Sequence, residues 1–255
     1  MTKFEHSLGN KKIGFLKFLT SLISKIALSF ASLFFKIDKK KSEIIISSSF
    51  YAPWKEDKDF CKFYFKIKED TLLDVKRLYT LWYLSKSLRN IEASVLDIGC
   101  CKGGSGFALS KTNFKGNTYL IDTFEGPKIK ENLISKNHYI FSDIDYVKKK
   151  IKSLKLRNTR VIKTFFPKNL SSNFKKKKIK ICHIDVNTTK ATKLAFEYVK
   201  KRVIKNGIII FDDYGIYSVD SVKNYVDYIK KKFAKEFIFI NNYMGQCILI
   251  KKNNN

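Results

Sequence analysis

Residues 94–106, SVLDIGCCKGGSG, constrain this chain more than any other stretch. Val95, Leu96 and Ile98 are apolar and partly β-branched, the composition of a short buried strand. Gly99, Gly103 and Gly104 then permit a tight turn and close approach of a ligand to the backbone. From Gly104 the pattern is helical, so unpaired N–H groups at that helix start face the turn. A second apolar strand over 118–122 ends in Asp122, about 20 residues beyond the turn, a spacing suited to a ribose diol. Neither G-x-G-x-x-G nor G-x-x-x-x-G-K-[ST] is present, which lowers dinucleotides and nucleoside triphosphates as ligands. The turn and Asp122 together favour an adenosine-containing cofactor over an ordinary strand–turn–helix.

Strand and helix patterns alternate from Ala93 onward. Strands are expected at 95–98, 118–121, 160–163, 179–186 and 207–211, then 237–240 and 246–250. Helices fall between them at about 104–112, 142–156, 188–204 and 219–234. The spacing predicts an α/β fold, a doubly wound, seven-stranded, mostly parallel sheet of Rossmann-like kind. The short link between the last two strands makes them an antiparallel hairpin, the architecture of class I methyltransferases. The chain divides into an amphipathic N-terminal helix (1–41), an aromatic-rich connector with strand-like pieces (42–69), the main domain (70–250) and a frayed tail (251–255). In the main domain a helix over 70–90 has Thr71 as its expected cap. The connector's aromatic residues either cover the mouth of a site or join the core.

In the N-terminal segment the longest uncharged run, 26–35, is too short to span a bilayer. Lys17, Thr20, Ser21, Ser24, Lys25 and Ser29 form a polar stripe, with Leu16, Leu19, Ile23, Ile26, Phe30 and Leu33 opposite. With basic residues at both ends, residues 11–41 suit an anionic membrane surface. Packing on the domain, a homodimer contact or a signal segment are the alternatives. The 255 residues carry a net charge of +28, which draws the chain to anionic surfaces, but no RNA- or DNA-binding motif supports a specific nucleic-acid partner. Five cysteines without framework spacing point to a reducing, cytoplasmic setting, with attachment to the inner membrane face as an extension of that reading.

Three acidic positions fall at strand ends, where ligands lie in such sheets. They are Asp122, Asp185 in HIDVN, and the pair Asp212–Asp213 in IIIFDDYG. Adjacent carboxylates beside another strand's Asp and Asn could hold a hard divalent cation, which would lower the pKa of a substrate hydroxyl. Alternatively, Asp212 and Asp213 cap the next helix or pair with lysines. His183 shares a strand face with Asp185 and is either an acid/base or a structural core histidine.

VLDIGCCKGGSG, YLIDTFEGP, HIDVNTTKAT and NGIIIFDDYG, in that order, resemble the macrocin-type (TylF-type) O-methyltransferases, which use S-adenosylmethionine to methylate sugar hydroxyls of natural products. The resemblance runs roughly over 71–229. It implies a methionine-binding turn at Asp97, Gly99, Gly103, Gly104 and Ser105, and ribose binding at Asp122 beside Thr123 and Phe124. It also implies a Mg2+ site at Asp212, Asp213 and Asn187. One departure stands out. The family's D-x-D after the fourth strand is Asp185-Val-Asn187 here, so the position of the family's base holds an amide, which cannot take a proton as a carboxylate would. Catalysis would then fall to Asn187 as a neutral ligand together with Asp185, His183 or a metal-bound hydroxide. The expected partner is a sugar-containing small molecule or glycan. A binding or scaffold protein that has lost catalysis is the alternative.

Overall fold

The computed structural model describes residues 3–34, 42–46, 51–126, 143–186, 188–216 and 220–253. The chain forms two compact units, Met1–Pro53 and Trp54–Asn255.

The larger unit is built on a seven-stranded sheet of order β3-β2-β1-β4-β5-β7-β6. Its strands are β1 (Ser94–Ile98), β2 (Thr118–Asp122), β3 (Thr159–Lys163), β4 (Ile179–Ile184), β5 (Val203–Phe211), β6 (Phe237–Asn241) and β7 (Cys247–Lys251). The first five are parallel, and β7 runs antiparallel to both β5 and β6. From β1 the chain winds outward through β2 and β3, then returns to place β4 on the other side of β1. That reversal opens a crevice at the carboxyl ends of β1 and β4, where ligands bind in such sheets.

Alternation along the strands supplies two core layers. Leu96, Ile98, Ile121, Ile184, Ile209 and Phe211 face one side, packed with Phe196 and Val226. Val95, Leu120, Ile181 and Ile210 face the other, packed with Leu78, Leu81 and Phe107. The first layer is covered by α8 (Thr189–Val199) and α9 (Asp220–Lys232), and the second by α3 (Lys58–Ile67), α4 (Val75–Ser87) and α5 (Gly104–Thr112). Short helices α2 (Pro53–Glu56) and α7 (Ser172–Lys175), and α6 (Ile144–Ser153), complete the unit.

The sheet and its antiparallel end agree with expectation; four local readings do not. The helix expected over 188–204 ends at Val199, and β5 starts at Val203 rather than at 207. The aromatic segment before the main helix is helical rather than strand-like over 58–67, because Phe60, Phe63 and Ile67 recur at helical spacing and are buried. Asp57 caps that helix by accepting from the Phe60 N–H at 2.9 Å, and accepts from the indole N–H of Trp82 at 3.2 Å. The next helix starts at Val75, capped by Asp74 rather than Thr71. Finally, Lys251 belongs to β7, and the Lys252 N–H donates to the Glu236 carbonyl at 2.9 Å, so the ladder reaches into the expected tail.

In the smaller unit, α1 (Lys3–Ala31) is one helix. Its polar stripe is partly covered: Ser24 is buried and its hydroxyl donates to the Ile44 carbonyl. Phe15, Leu19, Ile23, Ile26 and Phe30 are exposed. Gly14–Ala31 is also long and apolar enough to cross a membrane by length and composition, a test that N-terminal signal sequences pass too. Counting uncharged residues alone excludes such a span, whereas this window includes Lys17 and Lys25.

Candidate active site

A cavity of about 590 Å³ lies over the carboxyl ends of β1, β2, β4 and β5. One wall comes from contiguous chain. Gly99 ends β1 with φ +92, and a Cβ there would lie 1.7 Å from the Asp185 carbonyl oxygen, so only glycine lets β1 and β4 meet. Cys101, also at positive φ, turns its N–H onto Asp122 Oδ2 at 2.8 Å. Asp122 Oδ1 accepts from the Phe124 N–H at 2.9 Å, with the Thr123 hydroxyl 3.5 Å away. Two backbone donors thus fix this carboxylate at the cavity wall while each oxygen retains acceptor capacity. Burial raises the Asp122 pKa, and the backbone hydrogen bonds counter it.

Gly99, Ser105, Asp122 and Thr123 line the cavity; Asp97, Gly103, Gly104 and Phe124 do not. Gly104 packs against the preceding segment, its absent Cβ 2.6 Å from the Asp70 carbonyl oxygen. Asp97 is fully buried behind the wall, where it accepts from Ser105 Oγ at 2.7 Å and lies 2.7 Å from His183 Nδ1. His183 is likewise fully buried and does not line the cavity. Its Nε2 has no hydrogen-bond partner and sits 3.8 Å from Asp212 Oδ1. Burial alone would lower its pKa. The flanking carboxylates Asp212 and Asp97 outweigh that and raise it to about 10, which makes His183 an imidazolium at neutral pH. A buried cation between two carboxylates cannot serve as a base for a ligand in the cavity.

The opposite wall is assembled from distant side chains. Asp185, Asp212 and Asp213 line it, as does Arg77 from the first turn of α4. Arg77 Nη1 donates to Asp212 Oδ2 at 2.6 Å and lies 3.6 Å from Asp213 Oδ1. Gln246 Nε2 donates to Asp212 Oδ1 at 2.9 Å. Arg77 is held from behind by Asp74, which accepts from Nε at 2.9 Å while also capping α4. Burial and the Asp212 charge raise the Asp213 pKa to about 6. Burial, Asp212 and Asp213 push Asp185 well above the carboxylate range. Asp213 has φ +59, unusual for a residue other than glycine and typical of strained functional positions. The thiol of Cys101 is raised to about 11, by burial first and Asp122 second, and is not a nucleophile at neutral pH.

The expected metal set fares poorly. Asn187 lies outside the described residues. Both oxygens of Asp212 already hold donors, and one donor is a cation close to Asp213 as well. A second grouping, His183, Asp185 and Asp212, has ligand atoms within 4.8 Å of one another, but it depends on the same Asp212 and on the buried imidazole. Among the described residues, the arrangement does not fit a divalent cation.

Sequence reasoning missed Arg77, Asp74 and Gln246. Only Asp74 carried a local signal, as a capping residue ahead of an apolar helical run. Arg77 and Gln246 meet Asp212 across 135 and 34 residues, which no local pattern encodes.

Residues 96–214 match a family profile described as "Methyltransferase domain". No curated protein matches the chain. Among solved structures, the O-methyltransferase NovP is similar at TM-score 0.62 and 16% identity, covering 72% of this chain and 83% of that one. CalS11, described as a TDP-rhamnose 3'-O-methyltransferase of calicheamicin biosynthesis, is similar at 0.54 and 10%, covering 86% of this chain and 100% of that one. An rRNA methylase from Streptococcus thermophilus is similar at 0.51 and 14%, covering 71% and 100%. The fold is therefore the class I methyltransferase fold.

Proposed function

We propose that this chain is an S-adenosylmethionine-dependent O-methyltransferase acting on a hydroxyl of a sugar-containing acceptor. The observation that carries the proposal is one cavity with a backbone-held acidic residue on one wall and a cluster of carboxylates on the other. Asp122 would receive the ribose hydroxyls, and the turn from Gly99 to Ser105 would receive the methionine part. The cavity volume lies in the range of small-molecule sites and suits such a cofactor. Bound there, the cofactor would supply a sulfonium methyl group to an acceptor oxygen.

The chain's own residues would orient the acceptor and take its proton. Asp213 is the better base of the cavity carboxylates: near pH 7 it is largely ionised, yet its raised pKa gives it more proton affinity than an ordinary aspartate. It takes the role that the resemblance gives to position 187, in place of Asp185 or His183. Asp185, whose pKa is raised by burial and the neighbouring carboxylates, would instead hydrogen-bond the acceptor. The sugar acceptor follows the resemblance and the CalS11 description. The exposed apolar side of α1 favours an acceptor presented at an anionic membrane surface, such as a lipid-linked glycan. Leu19→Glu with Ile23→Glu in the full chain should release it from anionic liposomes; undiminished binding would end that part of the proposal.

A thermal shift with S-adenosylmethionine, on the parent and on Asp122→Ala, tests the core of the reading. Ligand at about 100 times its Kd should add roughly 2.7 kcal/mol to the parent and far less to the variant. No response from the parent would sink the methyltransferase assignment. Transfer of labelled methyl to sugar acceptors, with RNA as comparison, then separates an active enzyme from a cofactor-binding scaffold. The rate should rise as pH passes about 6 and then level off. Asp213→Asn should remove that step and cost on the order of 10²–10⁴ in kcat.

A further inference from the structure

We infer that the guanidinium of Arg77 is the resident cation of the acceptor wall, occupying the role a divalent metal would have between Asp212 and Asp213, and that the site works without metal. The absence of metal binding stands whether or not the methyltransferase assignment does; that the site works without metal rests on that assignment.

Three independent features carry it. First, the geometry is that of a seated ion pair: Nη1 is 2.6 Å from one aspartate and 3.6 Å from the next. A metal ion bridging the two carboxylates would have to sit against this guanidinium, cation to cation. Second, Arg77 is not a surface side chain that happened to fold inward. Its side chain is 14% exposed, and its Nε is fixed at 2.9 Å by Asp74, whose other oxygen accepts from the Lys76 and Arg77 N–H groups. Helix start and cation anchor are therefore one structure, and a side chain held at both ends yields its place reluctantly. Third, the remaining oxygen of Asp212 accepts from Gln246, a fully buried amide. Both faces of this carboxylate are engaged by protein donors.

The sequence agrees from a different direction. At position 187, where the resemblance calls for a third acidic ligand, the chain has Asn. One carboxylate fewer and one cation more both move the site away from a divalent ion, which prefers several charged oxygens. The fixed positive charge of Arg77 also gives an acceptor oxygen a hydrogen-bond donor that does not depend on a metal supply.

The test is cation binding by the full-length protein, read by Mn2+ paramagnetic resonance and by terbium luminescence. The parent should show no saturable binding at millimolar Mn2+, and its thermal response to S-adenosylmethionine should be the same with a chelator as with Mn2+. Arg77→Met should gain saturable Mn2+ binding, which Asp212→Asn in the same background should abolish. Arg77→Lys, which keeps the charge, should behave as the parent. Saturable binding by the parent that is lost in Asp212→Asn would overturn the inference. An Arg77→Met protein that folds and still refuses Mn2+ would overturn the role given to Arg77. If Arg77→Met does not fold, the parent titration, with and without Asp212→Asn, decides the matter.

Discussion

The two walls of the cavity hold their carboxylates by different means. Asp122 is held by N–H groups of residues 101 and 124, within one stretch of chain. Asp212 is held by side chains from α4 and from the residue before β7, and Asp213 by its proximity to the same arginine. A carboxylate held by backbone needs only the turn to fold, whereas one held by charged side chains needs the whole domain assembled. The first wall should therefore be insensitive to ionisation elsewhere. The second is a balance of charges that any single change disturbs.

The largest disturbance expected is Asp212→Ala, which takes from Arg77 its partner at 2.6 Å and leaves the buried imidazolium of His183 with Asp97 alone. It should cost about 3–5 kcal/mol of stability by urea denaturation; a cost below 1 would show that the second wall is not held by charge. Gly99→Ala should cost roughly 3 kcal/mol or more, because the new Cβ meets the Asp185 backbone at a positive φ. It is the one change that should damage both walls together. Asp122→Ala should weaken cofactor binding by about 100-fold or more through two lost charge-assisted hydrogen bonds while leaving cation binding as in the parent. If it altered both, the walls would not be independent.

The pH dependence of stability separates them further. The folded pKa of His183, about 10, lies above its ordinary 6.5. Its stabilisation is therefore complete below pH 6.5 and lost as pH rises toward 10, with a slope of up to about 1.4 kcal/mol per pH unit. His183→Gln should flatten that slope, as read by denaturation at several pH values. The smallest effect belongs to Thr123→Ala, whose hydroxyl stands 3.5 Å from Asp122 and 3.3 Å from the Glu125 N–H. About 0.5–1 kcal/mol of cofactor affinity is the most it should remove.

The same contrast explains what could be read from the residues alone. The seven strands, their alternation and the glycine turn are local patterns, and each lies within a few residues of where periodicity puts it. Asp122 was legible because its spacing from the turn reflects one strand–helix–strand unit. The acceptor wall was legible only as a set of acids at strand ends. Their partners were not, since the Asp212–Arg77 contact is created by the order of the sheet and by α4 packing on it. His183 shows the limit in another way: its strand and facing neighbour could be inferred from period two, but its enclosure by Asp97 and Asp212, which determines its protonation, could not. Aromatic richness in 54–68 misled because strands and helices both use such residues, and only the spacing of Phe60, Phe63 and Ile67 tells them apart.

The bridge from Asp74 through Arg77 to Asp212 ties the first turn of α4 to the end of β5. Helix starts ordinarily fray, and their amide protons exchange with solvent through small local openings. Here, fraying would pull a guanidinium off a buried carboxylate. The first-turn amides of α4 should consequently exchange only as slowly as the sheet itself opens, so that this helix end and the acceptor wall melt as one cooperative unit. The acceptor would then meet a surface already in its working shape, with little ordering left to be done on binding.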